Sequence, residues 1–333
     1  MRLKNQTPKL KGNELFREEL INYIDNIVNE YRVVLINAPA GYGKTTSIIS
    51  WLKEKNIINV NWISLDIFDN KLKDFLLNFV DSNVFLDKAL FYNNEKDISE
   101  HKCESYILEL LEEISKINET IYFIIDDLQV ITSLEVYNAF NYFLHNIPSN
   151  LKLILLSRNK LKDISFSELK RRNDFFEIGY EKLTFKNNDL MNYVSLDDIK
   201  NNNLDLIIKK TEGWIFSIQI LDILLKNRID KIEAIKSFSG NNKDIKDFLL
   251  SEVIDNLSEE IQDFLLKTSF LNTFNYNLCN YILDINNSQE IINYLIINNL
   301  FIISLDDNND WFRYHDLFSE FYFQCLKLRI QII

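Results

Sequence analysis

The sequence predicts a mixed α/β fold: a parallel sheet between helix layers, then a helical region, then helices closing on a single hairpin. Three observations carry this expectation. Short β-branched apolar runs alternate with longer stretches of helical spacing up to about residue 180. The strand signal then fades after about residue 185, and the last apolar runs of the chain flank a polar turn.

In chain order, the runs "RVVLIN", "VNWISL", "TIYFIID" and "LKLILLS" are apolar on both faces, as strands buried between two helix layers must be. A fifth run, "FFEIG", reads as an edge strand. Beyond it, "NNDLMNYV", "LDLIIKK" and "WIFSIQILDILLK" space their apolar residues three and four apart, the period of packed helices. From about residue 246, "IKDFLLSEVIDNL" and "EEIQDFLLKTSF" continue as helices, and "LFIISLDDNNDWFRYH" reads as two strands around a polar turn, followed by a helix. Helices leading into one hairpin outline a winged helix. The expected domains are therefore residues 1–185, 186–245 and 246–333.

Composition narrows the function classes. At 47% hydrophobic and 26% charged over 333 residues, the chain can bury the cores of two or three domains. Its formal charge of −12 opposes duplex binding, which draws much of its energy from cations displacing counterions at phosphates, so no direct DNA binding is expected. The N-terminal "MRLKNQTPKLK" carries four cations without an apolar segment behind it, and no run reaches the ~18 to 20 apolar residues of a spanning helix, so neither a secretory leader nor a membrane anchor is expected. Cys103, Cys279 and Cys325 are odd in number and widely spread, which suits thiols buried in a reducing cytoplasm. Asn-rich pieces such as "NNNLD" follow the general Asn, Ile and Lys bias and read as loops and solvated helix faces.

The chemistry concentrates at "APAGYGKTT". The chain has only six glycines, and Gly41 and Gly43 share one three-residue window. The eight positions Ala38 to Thr45 match the P-loop pattern G-x-x-x-x-G-K-[ST] everywhere but the first, and they lie between the strand "RVVLIN" and the apolar-periodic "TTSIISWL". A phosphate chain needs backbone N–H groups at a helix N-terminus, with small residues that let it approach. Ala40, Gly41, Tyr42 and Gly43 would supply that cradle, Lys44 would reach the β- and γ-phosphates, Thr45 would ligate Mg²⁺, and Thr46 would lie near the α-phosphate. The plain alternative is a glycine-containing strand-to-helix turn.

A second constellation follows in "IYFIIDDLQVI", where an apolar strand ends in Asp126 and Asp127. Carboxylates at that end of a strand face the crevice where α/β sheets bind ligands. Asp126 would hold the Mg²⁺ shell and Asp127 would orient a water, the alternative being a helix cap. Arg158, at the tip of "LKLILLS", would sense the γ-phosphate, or else form a surface salt bridge. "RNKLKD" misses the guanine-reading N-K-x-D pattern at Lys162, so the nucleotide expected is ATP or ADP.

These residues, with "PKLKGNELFREELINYID", "VNWISLDIFDN", "FFEIGYEKLTF", "TEGW", "FLLSEVIDNLSEEIQDFLLKTSFL" and "WFRYHDLFSEF", resemble in order the STAND-class signal-transduction ATPases of the MalT and large LuxR-type activators. The resemblance implies a regulatory switch closed around ADP, which hydrolyses ATP slowly and self-associates in its ATP form. By position it places Arg17 near the adenine, Arg158 at the sensor position and His315 of the winged helix on the β-phosphate of ADP. It also shows departures. The residue two past Gly213 is Ile215 where many relatives carry proline, and no sensor repeats or helix-turn-helix follow "LKLRIQII"; Arg171 and Arg172 match an arginine-bearing segment before "FFEIG", or else lie on a solvated helix face. A small-molecule phosphotransferase and a truncated regulator without output are the alternatives.

Overall fold

The computed structural model describes residues 5–10, 16–82, 103–191, 201–226, 230–306, 308 and 310–332. Of the stretches quoted above, residues 1–4, 11–15, 192–194, 307, 309 and 333 lie outside them. The chain divides into two compact units, Met1–Ala38 with Lys44–Lys182, and Pro39–Gly43 with Leu183–Ile333.

The first unit is built on five strands: β1 (Val33–Asn37), β2 (Val60–Ser64), β3 (Ile121–Asp126), β4 (Leu151–Ser157) and β5 (Phe175–Gly179). They form one sheet in the order β2-β3-β4-β1-β5, and every pairing is parallel. The four apolar runs without alternation form strands covered on both faces, as buried parallel strands require. All five residues of β1 are buried, and so are six of the seven in β4. The expected edge strand "FFEIG" is β5, at the sheet margin beside β1.

Helices α1 (Glu18–Glu30), α2 (Lys44–Glu54), α3 (Leu72–Ser82), α4 (Cys103–Ser115) and α5 (Leu134–His145) cover the sheet. The buried side chains of α1, Leu20, Ile21, Ile24, Ile27 and Val28, recur three and four apart and form a single stripe. A core of interlocking rings, Phe75 and Phe79 of α3, Phe123 of β3, and Phe140 and Phe143 of α5, joins the sheet to the helices, with ring centroids 4.8 to 5.8 Å apart where α3 meets β3 and α5. These aromatic contacts fix where β3 lies, and hence where its acidic tip emerges.

The second unit contains α6 (Asn201–Thr211), α7 (Ile215–Lys226), α8 (Lys243–Glu252), α9 (Glu259–Thr268), α10 (Tyr276–Leu283), α11 (Ser288–Ile297), the strands β6 (Ile302–Ser304) and β7 (Phe312–Tyr314), and α12 (Asp316–Ile332). The expected hairpin is there: β6 and β7 pair antiparallel, with Ile302 opposite Tyr314 and Ser304 opposite Phe312. Phe274 adds a bridge on the far side of Phe312, so the wing is anchored to the chain just before α10. Its buried face is aromatic. Phe274, Phe312 and Phe318 are almost wholly buried, and the Tyr314 hydroxyl lies 2.8 Å from Thr268 Oγ1, which satisfies a polar group that burial would otherwise strand.

A polar residue within β2 interrupts its apolar pattern. Asn61, in β2, alternates onto the same face as Ile63, which belongs to the apolar core, and it is fully buried. Neither its amide oxygen nor its amide nitrogen has a hydrogen-bond partner. An unsatisfied buried amide costs roughly 1–3 kcal/mol, so Asn61→Val should raise the stability of the first unit by about that amount, read as a higher midpoint in urea denaturation. An unchanged or lower midpoint would show that the amide is satisfied in solution.

Candidate functional site

The sheet order sets the tips of β3, β4 and β1 side by side, and the chain leaves each at its carboxyl end. At the tip of β1, Asn37 donates its side-chain N–H to Glu177 Oε1 at 3.1 Å, and the Ala38 N–H extends the ladder by bonding the Ser157 carbonyl at 3.2 Å. The chain then turns out as a loop and re-enters as α2 at Lys44. This is the strand, loop, helix order that a phosphate cradle needs.

Within the first unit, Lys44 is buried and folds back so that Nζ donates to the Ala38 carbonyl at 2.7 Å. Burial, with the nearby Arg158 cation adding to it, brings its pKa down to about 8. The Thr45 hydroxyl donates to Asp126 Oδ2 at 2.8 Å. Asp126 is itself buried, and burial first, then repulsion from Asp127, holds its pKa above the ordinary carboxylate value. A hydroxyl and a desolvated carboxylate in contact beside a buried ammonium form a donor set suited to a hydrated divalent cation and phosphate oxygens. Thr46 is exposed on α2.

Asp127 stands at a left-handed backbone position, φ 58°, so the chain turns sharply straight after β3. Its carboxylate accepts a hydrogen bond from Gln129 Nε2 at 2.8 Å, and the Gln129 oxygen accepts the Arg158 N–H at 2.9 Å. The Arg158 guanidinium itself lies 3.8 Å from Asp127 Oδ1. Gln129 thus ties the tip of β3 to the tip of β4. It was invisible to motif reading, because its role depends on two neighbouring strand tips and not on spacing along the chain. Arg171 and Arg172, by contrast, both pair with Glu168 on a surface helical turn. Arg17 is the N-cap of α1.

Residues Pro39–Gly43 pack with the second unit. There the Trp214 indole N–H donates to the Ala40 carbonyl at 3.1 Å, and the Phe216 N–H donates to the Gly41 carbonyl at 3.1 Å. Gly41 and Gly43 have φ of 78° and 75°. A Cβ on Gly41 would fall 2.7 Å from Trp214 Nε1 and 2.8 Å from Phe216 Cβ, and one on Gly43 would fall 3.0 Å from Ile215 Cδ1. The glycines expected to make room for phosphate are therefore also demanded by backbone conformation and by the close packing of the 214–216 segment. Only Gly213 of "TEGW" stood out in the sequence, for its turn; Trp214 is the residue that reaches the loop.

His315 is 1% exposed. Its Nδ1 accepts the Leu317 N–H at 3.3 Å, which leaves the proton on Nε2 to meet the Thr211 carbonyl at 3.2 Å. Burial lowers its pKa, in keeping with a neutral ring. Beside it, Arg313 forms a two-pronged pair with Glu212, at 3.0 and 2.6 Å, and the Asp316 N–H donates to the same carboxylate at 2.6 Å. Burial alone would raise the Glu212 pKa, but these bonds and the facing charges hold it below the ordinary value.

Comparison with known proteins agrees with this arrangement. Residues 250–330 match the MalT winged helix domain. The HTH-type transcriptional regulator MalT of Yersinia pestis is 30% identical over 319 residues, covering 93% of this chain and 35% of the relative, and that of Klebsiella pneumoniae is 29% identical over 313 residues, covering 92% and 34%. The chain thus spans about a third of the length of the curated relatives it matches. Among solved structures, the Walker-type ATPase paby2304 of Pyrococcus abyssi shares the fold, with a TM-score of 0.63 at 12% identity over 97% of this chain and 99% of that one. Among the described residues, no helix is long and apolar enough to cross a membrane. The chain is thus similar in sequence to MalT regulators along nearly all of its length, matches their winged helix domain at residues 250–330, and shares the fold of a Walker-type ATPase.

Proposed function

We propose that the chain is the nucleotide-binding part of a transcriptional regulator of the MalT kind, a switch whose state is set by ATP or ADP. The observation that carries this reading is the cluster at the three strand tips: a buried Lys44 ammonium held on the Ala38 carbonyl, with Thr45 and Asp126 in direct contact. A polyphosphate at the loop would add its negative oxygens to the surroundings of this buried ammonium. Gly41, Tyr42 and Gly43 would present main-chain N–H groups, Lys44 the counter-charge, and Thr45 with Asp126 the ligands of Mg²⁺, which when bound neutralises phosphate oxygens. Arg17 is proposed on the adenine side.

Asp127, which accepts a hydrogen bond from Gln129, would orient a water, and Arg158 would exchange its weak contact with Asp127 for a terminal phosphate. Turnover would be slow, as suits a timer of the ATP state. Self-association in that state and a lack of direct DNA contact by this acidic chain complete the proposal. A phosphotransferase would need a lid and a cationic clamp of its own, and no Arg-rich lid is seen in the sequence.

Two measurements test the reading. Lys44→Ala should weaken ADP binding by calorimetry at least about tenfold, the worth of a charge-assisted hydrogen bond, and the wild type should elute larger on size exclusion with a non-hydrolysable ATP analogue than with ADP. No uptake of either nucleotide at millimolar concentration with magnesium would sink the proposal. Lys44 also predicts a pH dependence. With its free pKa at about 8, the ammonium is partly deprotonated above that pH, yet phosphate binds the charged form. Binding should then take up a proton, and ADP affinity should fall by up to about tenfold per pH unit between pH 8 and 10. Calorimetry in buffers of different ionisation enthalpy reads that proton directly, and it should vanish in Lys44→Ala.

A further inference from the structure

We infer that Trp214 is a positioning residue for the phosphate loop: its indole N–H, with the Phe216 main-chain N–H, holds two loop carbonyls so that the adjoining amides are aimed for anion binding. The inference rests on the nucleotide reading above and deepens it.

A trans peptide is planar, with its C=O and the next residue's N–H pointing in opposite directions. The Ala40 carbonyl shares a peptide with the Gly41 N–H, and the Gly41 carbonyl shares one with the Tyr42 N–H. Trp214 takes the first carbonyl at 3.1 Å and Phe216 takes the second at 3.1 Å. Both bonds therefore turn the Gly41 and Tyr42 N–H vectors away from the 214–216 segment. Two successive amides oriented alike, in a stretch where Gly41 and Gly43 both sit at positive φ, form the kind of concave donor array that binds phosphate.

The brace is itself rigid. Trp214 is fully buried, and its ring lies 5.4 Å from Phe216, 5.5 Å from Phe248, 5.1 Å from Phe301 and 5.8 Å from His315. The main chain just before it is fixed by the Thr211 carbonyl on His315 Nε2 and by Glu212 on Arg313. The winged-helix hairpin thus reaches the phosphate loop through the 211–216 segment, with no need for His315 to touch a ligand. It also adds to the constraint on Gly41, where an added Cβ would fall 2.7 Å from the indole nitrogen that holds the neighbouring carbonyl.

The test is Trp214→Phe in the full chain, which keeps a large buried ring and removes the N–H donor. One neutral hydrogen bond is worth roughly a twofold to tenfold factor, so ADP should bind about twofold to tenfold more weakly while adenosine, which carries no phosphate, binds as before. An unchanged ratio of ADP to adenosine affinity would overturn the inference, as would an equal weakening of both. A second measurement needs no variant. The chain has four tryptophans, hence four indole N–H signals in an NMR spectrum, and that of Trp214 should move with ADP and stay still with adenosine. A Trp214 signal indifferent to ADP would also overturn the idea. If the wild type binds no ADP at all, it is the nucleotide reading that fails.

Discussion

The burial of β1 is the constraint on which the rest depends. A five-residue strand without one exposed residue, hydrogen-bonded to β4 on one side and β5 on the other, has no freedom to slide. Its end is fixed to the residue by the Ala38 bond to Ser157, so the next backbone groups must leave the sheet at one place and in one direction. The loop that follows owes its location to that anchor. Its internal conformation comes from elsewhere, from left-handed glycines and from donors on the 214–216 segment.

The strand tips gather charge in a way that only a parallel sheet with β4 between β1 and β3 could arrange. Lys44 follows β1, Asp126 ends β3, and Arg158 follows β4. The lysine and the arginine oppose one another, and at Asp126 the repulsion from Asp127 outweighs the attraction to the lysine; the result is a poised cluster and not a relaxed salt bridge. Burial strengthens the interactions of Lys44 and Asp126, while Arg158 and Asp127 stay partly exposed. Such stored electrostatic tension is what a multiply charged ligand relieves.

Much of this was legible in the sequence. Continuous apolar runs predicted the parallel strands, since a strand covered on both faces has no polar side to show. The loop between "RVVLIN" and "TTSIISWL" announced its neighbours through glycine and lysine. The hairpin announced itself through a polar turn between apolar strands. What stayed hidden is long-range. Gln129 acts across two strand tips, Trp214 meets Ala40 at a sequence separation of 174, and the histidine ring is satisfied by a turn 104 residues away. No local period or motif encodes such pairings; they exist only once the layers have packed. Asn61 shows the converse, a polar residue that sequence reading absorbed into an apolar strand and that burial leaves without partners.

The Glu212–Arg313 pair bears on how such a chain can drift over generations. A carboxylate that is largely buried and meets a guanidinium with two parallel bonds tolerates losing both charges far better than losing one, since a solitary ion in that setting has nothing to offset its missing hydration. Positions 212 and 313 are therefore expected to be exchanged in concert, and a lineage carrying only half of the exchange would pass through a weakened intermediate.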